Sequence, residues 1–207
     1  MTRGRLLALE GLDGCGKSTQ CEAIVAALRG AGVDIVVTRE PTAGAWGRRI
    51  RAMARGGETV APEEELRWFV ADRREHVARV VEPALAAGRS VVTDRYFLST
   101  VAYQGARGQG ARGLDWRTLL ADSEAEFPLP DLVLLFEIEP EAGLARVRAR
   151  AGTAEPAFEH AGFLARVAEI FAAIDRGYIA RIDAAGTPDE VRAEALARLA
   201  DRWSLSL

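Results

Sequence analysis

Lysine is almost missing from this chain. Of 27 basic residues one is lysine, Lys17, and the other 26 are arginine. A bias toward arginine has emptied every other lysine position, so the survivor marks a place where a planar guanidinium does not serve. A tight phosphate-binding loop is such a place, because it takes a compact ammonium on a flexible stem. Cysteine is also scarce, and Cys15 and Cys21 cannot build a disulfide framework. No apolar run approaches the roughly 20 residues of a membrane span. The apolar stretch after Arg3 and Arg5 is too short for a signal peptide. Formal net charge is −3, so no global basic field points to nucleic acid. These absences predict a cytoplasmic chain with neither membrane nor nucleic acid as a partner.

What is present is ordinary in amount and informative in order. Hydrophobic residues make up 49% and charged residues 28% of 207 positions, as in one soluble globular domain with a sizeable core. Short apolar, β-branched runs at 5–10, 33–38, 89–93, 132–138 and 178–182 read as strands. Helical patterns separate them, at 17–29, 45–55, 61–87, 98–106, 115–127, 140–150, 158–174 and 188–202. Pro83 is expected to kink or split the third of these, and Thr187 to cap the last. Strands that alternate with one or two helices throughout predict an α/β fold, a three-layer sandwich whose five-stranded parallel sheet is flanked by helices. No repeat, low-complexity tract or linker divides residues 1–207.

The first strand runs into Gly11-Leu12-Asp13-Gly14-Cys15-Gly16-Lys17-Ser18-Thr19, and residues 11–18 match the P-loop pattern fully. Strand before and helix after are the context that pattern requires. Backbone N–H groups of the loop and helix N-terminus make an anion nest. Lys17 reaches the outer phosphates and the Ser18 hydroxyl can ligand Mg²⁺. Asp94-Arg95-Tyr96 closes the third strand at its carboxyl end, where α/β proteins place ligands. There the aspartate can hold Mg²⁺ through water and the arginine can bridge two phosphates. An Asp–Arg surface pair is the plainer reading of that tripeptide alone. Ser99 and Tyr103 share a face of the next helix, with Gln104 beside them, a polar and aromatic surface suited to a nucleoside.

At this point the chain resembles the thymidylate kinase family. The resemblance rests on Glu10–Gln20, Thr38-Arg39-Glu40-Pro41, Phe69–Arg73, Asp94–Gln104 and Pro130–Leu135, in the family's order and over nearly the whole length. It implies transfer of a phosphoryl group from ATP, with Mg²⁺, to dTMP, in a homodimer. It implies that Asp13 helps organise Mg²⁺ and the acceptor, and that Phe69 stacks on thymine. It implies that Arg73 bonds the pyrimidine carbonyl and that Thr100 reads the base edge. Arg39 and Arg95 are implied around the acceptor phosphate, and Tyr103 under the sugar with Gln104 as its polar neighbour. Read without the family, Phe69 is core packing and Arg73 a solvated helix face.

The departures fall in a short lid, about 146–160. Arg146, Arg148 and Arg150 are there, but the family's common Asp-Arg pair is replaced by Pro156-Ala157. The P-loop carries no arginine at its variable positions. The charge neutraliser is therefore expected at Arg146 or Arg150, or elsewhere in the chain, beside Lys17 and Arg95. His76 and His160 have no metal-spaced partners and read as polar surface or hydrogen-bonded residues. Two other readings stay open: a kinase for another nucleoside monophosphate, and a non-catalytic P-loop module. Trp46 has no assigned role.

Overall fold

The first apolar run folds as strand β1, Leu6–Gly11, and all six of its residues are buried. A strand buried on both faces must sit inside a sheet covered on both sides. The computed structural model describes residues 3–56, 60–108, 114–151 and 161–207. The other strands are β2 (Ile35–Arg39), β3 (Ser90–Asp94), β4 (Leu132–Glu137) and β5 (Ile179–Asp183). They form one parallel sheet in the order β2-β3-β1-β4-β5. Burial follows position. β4 is buried at all but its last residue, whereas edge strand β2 alternates between more and less buried residues.

The helices are α1 (Lys17–Gly30), α2 (Ala45–Ala54), α3 (Pro62–His76), α4 (Glu82–Ala86) and α5 (Phe97–Arg107). They continue with α6 (Trp116–Glu126), α7 (Pro140–Ala151), α8 (Ala161–Ala173) and α9 (Pro188–Trp203). α1 and α9 pack on each other and on the sheet; α5 packs on β1 with α3, α6 and α8 around it. Thr187 caps α9 through a complete capping box with Glu190, as its sequence predicts. The pattern at 61–87 divides as Pro83 requires. α3 passes through a π-helical turn, Val77–Val81, into α4, with Pro83 in the first turn of α4, where its missing N–H costs little. The remaining predicted boundaries agree to within one or two residues; positions 158–160 of the eighth helix lie outside the described residues.

β1 lies between β3 and β4, so its carboxyl end opens where the connections run to opposite sides of the sheet. That crevice is where open α/β sheets take ligands. A second, small core beyond it joins Ile50 and Met53 of α2 to Trp68 of α3, with Phe69 against it.

Candidate active site

The loop 11–16 turns on three glycines in the left-handed region, Gly11 (φ 141°), Gly14 (φ 85°) and Gly16 (φ 91°). Two of them also allow close backbone approach. A Cβ on Gly14 would lie 2.1 Å from the Gly143 carbonyl oxygen of α7, and one on Gly11 would lie 2.3 Å from that of Phe136. The start of α1 has no side-chain cap and no acidic residue in its first turn. Its first N–H groups are left for an anion, with the helix dipole behind them.

Lys17 is 6% exposed, and its Nζ donates to the carbonyls of Gly11 (2.9 Å) and Leu12 (2.7 Å) and to the Cys15 thiol (3.5 Å). The ammonium is thus held inside the loop, in contact with a thiol that is itself buried. Cys21 is buried as well, and burial with the nearby Asp94 and Glu22 charges pushes its thiol up to about 11. A cavity of about 150 Å³ opens at the loop, lined by Asp13, Lys17, Ser18, Arg39, Asp94 and Arg95 among others.

At and behind that cavity several of the predicted groups meet. Ser18 Oγ donates to Asp94 Oδ2 at 2.9 Å. The Arg95 guanidinium reaches Asp13 Oδ1 (2.5 Å) and Ser99 Oγ (2.8 Å) and lies over the Tyr103 ring at 5.3 Å. Tyr103 donates its hydroxyl to Asp13 Oδ2 at 3.1 Å. Desolvation by the loop pushes the Asp13 carboxyl up, but Arg95, Lys17 and Tyr103 outweigh it and leave the group below the ordinary carboxylate range. Arg95 adopts φ 71°, in the left-handed region. A non-glycine residue held there costs on the order of 1–3 kcal/mol and must be over-determined by its surroundings. Its backbone N–H bonds Leu9, and its carbonyl accepts from Thr93 Oγ1.

The neighbouring end of β2 carries a buried charged cluster. Arg73 is 1% exposed, not a solvated helix residue, and donates Nε and Nη2 to Glu40 Oε2 at 2.9 and 2.7 Å. Its Nη2 also reaches Thr100 Oγ1 (2.8 Å) and the Tyr96 carbonyl (3.1 Å). His76 places Nδ1 against Glu40 Oε1 and Nε2 against Thr38 Oγ1, both at 2.8 Å. His76 is therefore hydrogen-bonded, as expected, but in the interior and not at the surface. Desolvation raises the Glu40 carboxyl; Arg73 and His76 more than reverse it. Asp72 anchors the following loop by accepting from the Thr42 N–H and hydroxyl. Two buried polar atoms are left without a partner close by: Arg73 Nη1, and Gln104 Oε1 one turn along α5 from Thr100. Gln104 Nε2 donates to buried Glu65.

Three of the expected residues are already engaged within the protein. Ser99 spends its hydroxyl on Glu10 and Arg95, so it faces the interior rather than a nucleoside. Phe69 is half-buried against the small α2–α3 core. Arg146 donates to the carbonyls of Ala184 (2.8 Å) and Ala185 (3.2 Å). It lines a separate cavity of about 240 Å³ on the other flank of the loop, with Gly14, Gly16, Thr19, Gly186 and Pro188, and it is not among the groups around Lys17 and Asp94. The Arg150 side chain, the lid residues 152–160 and His160 lie outside the described residues. Trp46, in the first turn of α2, is 36% exposed, and nothing in the structure explains it.

Sequence reasoning missed Glu10, Glu40, Glu65 and Phe163 as parts of this region. Phe163 of α8 stands edge-on to Tyr103, with ring centroids 6.1 Å apart. The spacing Arg73–His76 does put both on one face of α3, a signal for a shared partner, but it cannot identify Glu40, one residue past β2.

A model of the family described as thymidylate kinase matches residues 9–195. A thymidylate kinase of Desulfotalea psychrophila is 40% identical over 193 residues, 93% of each chain. One of Xanthomonas euvesicatoria is 43% identical over 205 residues, 97% of this chain and 87% of that one. One of Xanthomonas campestris is 43% identical over 203 residues, 96% and 86%. The matched stretch contains the whole P-loop, the Arg73–Glu40 cluster and the Asp94–Gln104 helix start, and on this evidence the chain belongs to the thymidylate kinase family.

Proposed function

We propose that this chain transfers the γ-phosphoryl group of ATP to a phosphate oxygen of dTMP, giving dTDP and ADP for the making of DNA precursors. The observation that carries the acceptor is the buried Arg73–Thr100–Gln104 group, tied by Arg73 to the carbonyl of Tyr96, the residue after Arg95. It leaves the donor nitrogen Arg73 Nη1 and the acceptor oxygen Gln104 Oε1 without partners, and a pyrimidine edge offers a carbonyl and an N–H to match. Unpaired polar groups of this kind reject analogues that lack the matching atoms. In the proposal Phe69 stacks on the base, and Tyr103 lies under the sugar.

The chemistry follows from charge. The attacking oxygen is already anionic near neutral pH, since a phosphate monoester loses its second proton near pH 6. It bonds to the γ-phosphorus as the bond to the β–γ bridging oxygen breaks, and the electron pair leaves with ADP. No protein base is needed, so positioning and neutralisation carry the rate. Lys17 and the loop N–H groups hold the donor phosphates. Arg39 and Arg95 hold the acceptor phosphate, and Asp13 keeps Arg95 oriented. The pair Ser18 Oγ and Asp94 Oδ2 fits Mg²⁺, a hard cation that takes oxygen ligands and retains water. Held by these two residues, such an ion would supply charge neutralisation for the transferring phosphoryl group. Arg146 and the 240 Å³ cavity suit the nucleoside end of the donor; Arg150 remains the lid candidate for the transition-state cation.

A coupled assay of ADP release with and without dTMP tests the reading. Release that depends on dTMP, and is far weaker with CMP, UMP, GMP or free thymidine, is expected. Release indifferent to dTMP would turn the chain into an ATPase or a nucleotide-binding module. A homodimer belongs to the same proposal through the family resemblance, by way of helices such as those at 61–87, and light scattering at the monomer mass would exclude it.

A further inference from the structure

One residue before the phosphate loop, Glu10 is 0% exposed on the central strand. A carboxylate in that position is costly unless its oxygens are satisfied. Oε1 accepts from the backbone N–H groups of Tyr96 (2.9 Å) and Ser99 (3.1 Å). Oε2 accepts from Ser99 Oγ at 2.5 Å. Tyr96 is the N-cap residue of α5, and that helix has no side-chain cap of its own. A side chain from another strand therefore does the capping, joining β1 to the start of α5.

The Ser99 hydroxyl has one proton. Donated to Glu10, it leaves the oxygen lone pairs to accept, and Arg95 Nη1 takes one at 2.8 Å. Arg95 Nη2 lies on Asp13, whose side chain is 43% exposed. The guanidinium thus has one anchor in the interior and one at the cavity. Asp13 lines the cavity and buried Ser99 does not, so a phosphate in the cavity would compete for the Asp13 side alone. Building on the role proposed above for Arg95, we propose that Glu10 is a positioning residue for phosphoryl transfer, fixing the Ser99 hydroxyl so that Arg95 stands at a defined place between donor and acceptor phosphates.

Simple helix capping is the competing account, and the two separate experimentally. Ser99→Ala keeps both backbone bonds to Oε1 but removes the relay. Glu10→Gln keeps a capping carbonyl but brings an N–H donor to the hydroxyl, which then competes with Arg95. Steady-state kinetics with ATP and dTMP, on variants whose folding is checked by circular dichroism, should show kcat lowered about tenfold to a hundredfold in each, the scale of a small misplacement. KM for ATP should stay within about twofold. The double variant should fall no further than Ser99→Ala, because both act on one bond. A folded Ser99→Ala with wild-type kcat overturns the proposal, as do losses that multiply in the double variant. If Glu10→Gln does not fold, Ser99→Ala decides alone by the same criterion. Arg95→Ala measured alongside keeps the two readings apart. If it retains kcat, the role of Arg95 fails; if it loses kcat while Ser99→Ala does not, only the positioning role of Glu10 fails.

Discussion

At the scale of single residues, the carboxylates around the phosphate loop set opposite pH dependences. Burial pushes Glu10 up to about 7, against an ordinary 4.5, although Ser99, Arg95 and Tyr96 pull it down. Below about pH 4.5 it is protonated folded and unfolded and contributes nothing to the difference. Between 4.5 and 7 the folded chain holds the extra proton, so stability falls as pH rises, by on the order of 3 kcal/mol once past 7. Asp13 and Glu40 lie below the ordinary range; their contribution is present at neutral pH and is lost on acidification. Glu10→Gln should therefore gain on the wild type, in Tm, as pH rises from 5 to 7.5. Parallel curves would mean that Glu10 is ionised throughout. Arg73 makes a second test. Arg73→Met leaves Glu40 buried without its main cation, which should cost about 3–5 kcal/mol in denaturant unfolding. Adding Glu40→Gln should recover part of that loss, while KM for dTMP stays raised in both.

Among elements, the phosphate loop and α7 are mutually fitted. Gly14 and Gly143 let two backbones touch: a Cβ on Gly143 would lie 2.8 Å from the Asp13 carbonyl oxygen. Gly14 also needs φ 85°, so Gly14→Ala carries both strain and collision and should remove ATP binding measured by titration calorimetry. Gly143→Ala has only the contact to relieve, by a small shift of α7. It should raise KM for ATP a few-fold and leave kcat for bound substrates near wild type. Equal effects of the two substitutions would contradict this division. The sequence announced both the loop and the helix after Pro140, yet it contained no sign that they touch, because the contact joins residues far apart in the chain through backbone alone.

For the whole molecule, ligand binding should report on fold and site together. Ligand at 100 times its Kd adds about 2.7 kcal/mol, and a chain of this size gains about 2–4 °C per kcal/mol. ATP with Mg²⁺ should therefore raise Tm by roughly 5–10 °C. Chelation by EDTA, or Ser18→Ala, should remove a large part of that rise if Ser18 and Asp94 hold the ion. An identical shift without divalent metal would take the metal away from this pair.

Local order in the sequence determined the architecture: five apolar runs between helical patterns, a glycine loop with its single lysine, and proline at 83 where one helix becomes two. These signals are short-range, since strand period, helix period and turn chemistry are all set within a few residues. The P-loop, Asp94, Arg95 and Tyr103 were legible for the same reason, each lying in a contiguous motif. Tertiary structure alone decided which charges meet. It paired Glu40 with Arg73 and His76, turned Ser99 inward to Glu10, and drew Arg146 onto the carbonyls after β5. Buried charges must find counter-charges or donors wherever the packed chain brings them, and that choice is made in three dimensions, between residues whose separation along the chain carries no period to read.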